Sequence, residues 1–235
     1  MKKKIESSLN KMPLTIIFVE CGLELIPSSI KNHPAIQKNL KTDSYPSKLL
    51  DNAIHHSAMV RLDGAEQRGR PDITHACLLN ALGSTANKSH NLKIYLHTYE
   101  NKIFKINPAI KIARNYNRFK GLMAKMLMEN EIRTKNLLLI SKFKGTLREL
   151  VNSIDKKDVI LLTNKGELVE SPLLLFDNDL SKEFVVIIGC FQKGFFTDEI
   201  LELSNRLVSI SHYSLDAWVV LSRVITLYEI ANDIL

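Results

Sequence analysis

A chain of 235 residues, 45% hydrophobic and carrying a net charge of +7, is one large globular domain or two small ones, and is too apolar for a disordered polyelectrolyte. No apolar run is long enough to span a bilayer. The basic start MKKKIESSLNK leads into polar residues instead of the apolar core of a signal peptide, so residues 1–12 read as a basic lead-in to an intracellular protein. Cys21, Cys77 and Cys190 are far apart in sequence and form no CxxC pair, so reduced thiols are expected.

Leu14–Val19 (LTIIFV) is β-branched, apolar and short, the pattern of a buried strand. Pro27 and Pro34 break residues 22–45 into helical turns and loop. Ser47–Met59 is predicted helical with Leu49, Leu50, Ala53 and Ile54 on one face, and Asp63-Gly64 marks a turn. After Pro71, Asp72 is positioned to cap a helix reaching about Leu82. Leu92–His97 and Lys102–Ile106 are predicted strands joined by a tight loop, and residues 98–110 form a small β-rich insertion. Tyr116–Met128 is helical, with Phe119, Leu122, Met123, Met126 and Leu127 as its buried stripe.

Further on, Leu137–Ile140 reads as a strand and Thr146–Ile154 as a helix. Asp158–Leu162 is a strand that turns at Asn164-Lys165-Gly166. Glu183–Gly189 is an apolar strand, Glu199–Asn205 a helix, and Leu207–Ser211 a last strand. The final helix is predicted to start at an N-cap Ser214 and to bury Leu215, Trp218, Val219, Ser222 and Ile225. Strands alternating with helices predict an α/β domain over 13–235 with a mostly parallel sheet.

Several chemistries lack their signatures. There is no GxGxxG after the first strand, no GxxxxGK[ST], no GxSxG and no HExxH. His55 and His56 are adjacent, so on a helix they diverge, and no metal site is expected. Three segments carry positive signals. Residues 101–125 hold seven Lys or Arg and no acid. Lys111, Arg114, Arg118 and Lys125 there have the spacing of one cationic helical stripe, either a solvated face or a surface for RNA phosphates. In Arg68-Gly69-Arg70-Pro71-Asp72, the carboxylate can hold Arg70 in a fixed fork toward a base or phosphate, or the segment is an exposed turn. At Gly189–Gly194 an apolar strand ends in two glycines, at the edge where open α/β sheets bind ligands.

Taken in order, RGRPDITHACLLNAL, RNYNRFKGLM, IGCFQKG and SISHYSLDAWVVLSRVITLYE resemble the small-subunit rRNA pseudouridine N1-methyltransferases of archaea and eukaryotes, ribosome-biogenesis enzymes of the SPOUT superfamily. The resemblance covers most of residues 14–230. It implies a C-terminal trefoil knot, an exception to the usual unthreaded chain. It also implies a homodimer, S-adenosylmethionine in the knot, and an rRNA hairpin loop as substrate.

By the same resemblance, Gly189 and Gly194 are cofactor-loop glycines. Val208, Ser209, Ile210, Ser211, His212, Tyr213 and Leu215 wrap the adenosine, and Leu162 is a further contact. Arg70 contacts RNA and acts at the reacting base, steadied by Asp72. Lys111, Arg114 and Arg118 match further RNA-binding positions, and the Arg68-Gly69-Arg70 spacing adds Arg68 to the RNA-binding set. Lys111 stands where the family pattern has Arg, Cys190 where it has Gly, and His212 where it has Asn. Two rival readings stay open: an RNA-binding assembly factor without methyl transfer, and a SPOUT methyltransferase for a tRNA pseudouridine.

Overall fold

The computed structural model describes residues 13–41, 44–155, 157–176 and 183–234; the lead-in expected over 1–12 lies outside them. Eight strands form one sheet in the order β4-β5-β3-β2-β1-β7-β6-β8. At its centre β1 (Leu14–Cys21) is buried along its whole length. It pairs in parallel with β2 (Leu92–Thr98) on one side and β7 (Glu183–Gly189) on the other. Beyond β7, β6 (Lys157–Leu168) and β8 (Arg206–Ser209) continue the parallel part. Beyond β2, the strands β3 (Ile103–Ile106), β5 (Leu138–Phe143) and β4 (Glu131–Arg133) are antiparallel. The expected mostly parallel sheet is thus mixed, and the hairpin residues within 98–110 belong to the common sheet.

Alternation along the central strands separates two cores. Leu14, Ile16, Phe18, Val186 and Ile188 face α3 (Pro71–Gly83), α5 (Tyr116–Glu129) and α8 (Ala217–Ala231). Ile17, Val19, Val185 and Ile187 face α6 (Leu147–Asn152) and α7 (Asp198–Leu201). Each fully buried Ile or Leu adds roughly 1.5–3 kcal/mol of hydrophobic stabilisation. A smaller cluster around Ile36, Leu50 and Met59 joins α1 (Pro34–Gln37) to α2 (Asn52–Met59). One short helix, α4 (Thr85–Lys88), precedes β2; its first turn is closed by the buried Glu229 carboxylate, which accepts from the Ala86 amide.

Several expected boundaries move, each for a local reason. The helix predicted from Ser47 starts at Asn52, because Leu49 bridges to Leu25 and Asp51 caps the helix through the Ala53 amide. Its buried face is His55, Ala58 and Met59, and Ile54 points outward. Arg70, not Asp72, is the N-cap position of α3, and Asp72 lies in the first turn. The cationic stripe is not helical throughout. α5 starts only at Tyr116, where Asn115 caps the Arg118 amide, so Lys111 and Arg114 lie in the preceding loop.

At Asn164-Lys165-Gly166 the chain does not turn away from the sheet. β6 bulges and resumes, so that Leu162 and Glu167 both stand beside Val208. Residues 210–215 remain a loop, which moves the N-cap of α8 from Ser214 to Asp216. The helix then buries Leu221, Val224, Ile225, Tyr228 and Glu229.

Candidate functional site

Where β6 bulges and β7 and β8 end, their loops line a cavity of about 780 Å³, within the range that takes small organic ligands. Carboxyl ends of parallel strands are the expected place for such a site. Leu162, Gly189, Gly194, Val208, Ser209, Ile210, Ser211, Tyr213 and Leu215 all line it. Of the expected cofactor set only His212 does not. It lies exposed on the same loop.

That loop is shaped by its own side chains. The Ser209 hydroxyl donates to the Ser211 carbonyl at 2.8 Å, and the Ser211 hydroxyl accepts from the Tyr213 amide at 3.0 Å. The lone Trp, Trp218, also lines the cavity.

The loop after β7 is fastened at both ends. The Cys190 amide donates to the Val19 carbonyl at 2.9 Å. Gln67 donates to the Phe195 carbonyl at 3.0 Å, and Glu20 accepts from the Thr197 amide at 3.1 Å. Gly194 has φ +117, and a Cβ there would meet Gln67 Nε2 at 2.8 Å. A side chain at this position would therefore break the fastening as well as strain the backbone. At Gly189 the Cβ position is already crowded by the Phe191 and Phe196 rings at 2.9 Å.

Against this cavity stands the start of α3. Arg70 lines the wall. Its Nε and Nη2 donate to the two Asp72 oxygens at 2.8 and 2.7 Å. Hydrogen bonding to Asp72, with the charges of Asp72, Tyr116 and Asp216 behind it, pushes the Arg70 guanidinium further toward its charged form. The Arg70 amide donates to the Gly22 carbonyl at 3.0 Å, and a Cβ on Gly22 would meet that amide nitrogen at 2.9 Å. Close approach of two backbones thus fixes where Arg70 begins.

Arg68 is placed differently. Its guanidinium forms a bidentate pair with the buried Glu24 at 2.7 and 2.5 Å and lies over the Tyr99 ring. It braces the turn below Arg70. Lys111, Arg114 and Arg118 are all exposed. The loop of Lys111 and Arg114 is pinned to α3 by His75, whose Nε2 is 2.7 Å from the Ala113 carbonyl and whose ring stacks on Phe119 in α5.

The charge excess of residues 101–125 is narrower than the residue count suggests. Lys120 is buried against Asp51 at 2.8 Å, Lys102 pairs with Glu100, and Lys125 with Glu129. Tyr116 donates to the same Asp51 carboxylate at 3.3 Å. Burial, then the charges of Asp51 and Asp72, push its phenol up.

The three cysteines, distant in sequence, converge beneath the cavity. All are free and fully buried. The Cys21 thiol donates to the Phe18 carbonyl at 3.6 Å, and the Cys190 sulfur is 3.5 Å from the Thr74 hydroxyl. Burial pushes the Cys21 thiol up, which keeps it protonated and inert. Among the described residues, no His, Cys, Asp and Glu group is suited to a metal ion, and no helix is long and apolar enough to cross a membrane.

Glu20, Gly22 and Gln67 carry no mark in the sequence. They act through folded proximity to Thr197, Arg70 and Phe195, and no local spacing marks them.

The family model "EMG1/NEP1 methyltransferase" matches residues 16–229. The ribosomal RNA small subunit methyltransferase Nep1 of Staphylothermus marinus is 39% identical over 220 residues, covering 92% of this chain and 94% of that protein. The Nep1 of Pyrococcus furiosus is 38% identical over 223 residues, covering 93% and 97%. The crystal structure of Archaeoglobus fulgidus Nep1 bound to S-adenosylhomocysteine superposes with a TM-score of 0.81 at 35% identity, over 94% of this chain and all of that one. With a strand-end cavity, an arginine fork at its wall and relatives matched along nearly their whole length, the chain belongs to the EMG1/NEP1 methyltransferase family.

Proposed function

We propose that the protein transfers a methyl group from S-adenosylmethionine to N1 of a pseudouridine in a hairpin loop of small-subunit ribosomal RNA, as a step of ribosome biogenesis. The observation that carries this reading is the position of Arg70: it lines the strand-end cavity while its own fork is held by Asp72. A relative of the same fold binds S-adenosylhomocysteine, the product left by such a transfer.

The cavity fits the cofactor. Its volume suits a nucleoside joined to an amino acid, and its walls combine apolar side chains with the polar backbone of a serine-rich loop. In this reading Leu162, Gly189, Gly194, Val208, Ser209, Ile210, Ser211, Tyr213 and Leu215 hold the cofactor, with His212 at the loop's outer edge. The cofactor supplies an activated methyl on a sulfonium. The protein then has to align the two reactants, exclude water and remove a proton.

Arg70, oriented by Asp72, positions a base turned out of its stack and stabilises charge on its carbonyl oxygens. Lys111, Arg114 and Arg118 neutralise phosphates beside it. The reading includes the C-terminal trefoil knot, a homodimer, a single catalytic domain over 13–235 and a cytoplasmic location.

The test is transfer from labelled S-adenosylmethionine to two matched hairpins, one with uridine and one with pseudouridine at the loop position. Labelling of the pseudouridine hairpin alone is expected. Labelling of neither, with hairpins still bound, would leave an assembly factor without methyl transfer or a methyltransferase with a different substrate.

A further inference from the structure

Replacing the hydrogen of a ring nitrogen by methyl leaves one proton to be removed. Of the described side chains that line the cavity, Asp216 is the one carboxylate; the other charged side chains on its lining are Arg70, Lys165 and Lys193. Asp72 is not on the wall, and both of its oxygens are engaged by Arg70. Asp216 occupies the N-cap position of α8, where an Asp ordinarily spends its carboxylate on a backbone amide. Here it makes no such bond. It is exposed, and its charge is felt at Arg70 across the cavity. The carboxylate is thus left available in the same cavity as the side chain that orients the base.

We propose that Asp216 is the proton acceptor of the methyl transfer, an inference that rests on the pseudouridine reading above. The N–H proton passes to the Asp216 carboxylate. The electron pair of that N–H bond becomes the new N–CH3 bond, while the pair of the breaking C–S bond stays on sulfur. Asp216 then releases the proton to solvent, which its exposure permits. The other titratable groups on the cavity lining are Arg70 at the start of α3, Lys165 on the β6 bulge, Lys193 on the loop after β7 and the Tyr213 hydroxyl on the loop before α8.

The experiment compares wild type, D216N and D216E in single-turnover transfer to the pseudouridine hairpin as a function of pH. Binding of S-adenosylhomocysteine, read from Trp218 fluorescence, and binding of the hairpin are measured in parallel. In D216N the transfer rate is expected to fall about 100-fold or more and to lose its acid limb, while both affinities stay within about threefold of wild type. D216E should recover part of the rate and restore the limb. A D216N rate near that of wild type overturns the proposal. So does a loss of rate matched by loss of S-adenosylhomocysteine binding, which would make Asp216 a loop-shaping residue. If wild type methylates neither hairpin, the substrate reading fails and takes this inference with it; a wild type that transfers and a D216N that transfers equally fail this inference alone.

Discussion

Arg70 and Asp72 are joined by two parallel hydrogen bonds of 2.8 and 2.7 Å across a single intervening proline. The proline fixes the first turn of α3 with Asp72 next to the Arg70 side chain. Asp72→Ala would leave the guanidinium charged but unaimed. The expected result is roughly a tenfold loss of hairpin affinity with a larger loss of transfer rate, since a planar fork acts by orientation as well as charge. Because the Asp72 side chain is 46% exposed, stability should change by less than about 1 kcal/mol. Fluorescence anisotropy, single-turnover transfer and thermal unfolding check the three parts. Unchanged affinity and rate would remove Asp72 from the site.

Arginines in this region separate into two kinds. Arg114 and Arg118 are exposed; replacing either by Ala should reduce the steepness of the salt dependence of RNA binding by about one unit of slope. Arg68→Ala should leave that slope alone. It would strand the Glu24 carboxylate, whose side chain is 1% exposed, and cost about 3 kcal/mol of stability. A titration of binding against salt, with urea unfolding of each variant, distinguishes the two. A lowered slope for Arg68→Ala with stability intact would reverse its assignment.

The legibility of this chain follows the range of the interactions. β1 and β7 are runs of Val, Ile and Leu that two covered faces demand, so their pattern announces them. The fork of Arg70 and Asp72 is readable because its partners are two residues apart. The cavity residues are contiguous runs at strand ends, and the family resemblance places them. Asp51 and Lys120 show the opposite case. They are 69 positions apart and meet only after α5 folds across the start of α2, so Lys120 counts as part of a basic surface until the fold buries it. Helix starts shifted where a distant partner intervened, as Leu25 did for Leu49.

That buried pair supports a further expectation. Lys120→Met keeps the side chain's length but leaves the Asp51 carboxylate with Tyr116 as its remaining side-chain partner. A loss of about 3–5 kcal/mol is expected. Asp51→Ala should cost more, because it also removes the cap on the Ala53 amide. The double variant Lys120→Met, Asp51→Ala should be less destabilised than the sum of the two single variants, since neither charge is then stranded. Additive losses in urea unfolding would show that the two groups do not act as a pair.

His97 gives the fold a pH dependence of predictable sign. The Glu20 amide donates to its Nδ1 at 3.2 Å, so that nitrogen must stay unprotonated, and Nε2 faces the Asn101 side-chain oxygen at 2.9 Å. The folded ring is therefore neutral, with its proton on Nε2. Burial pushes its pKa down to about 4, against an ordinary value near 6.5 in the unfolded chain. Protons thus favour the unfolded state. The contribution of His97 is complete above about pH 6.5 and is lost progressively as pH falls toward about 4, amounting to roughly 3 kcal/mol. Glu20 works in the other sense, since burial pushes its carboxyl up and its Oε2 has no partner among the described residues; acid relieves it. Thermal unfolding between pH 7 and pH 4 should therefore show a falling midpoint in wild type. His97→Gln, which keeps an acceptor for the Glu20 amide, should flatten that slope, and Glu20→Gln should steepen it. A His97→Gln profile as steep as that of wild type would place the titrating group elsewhere.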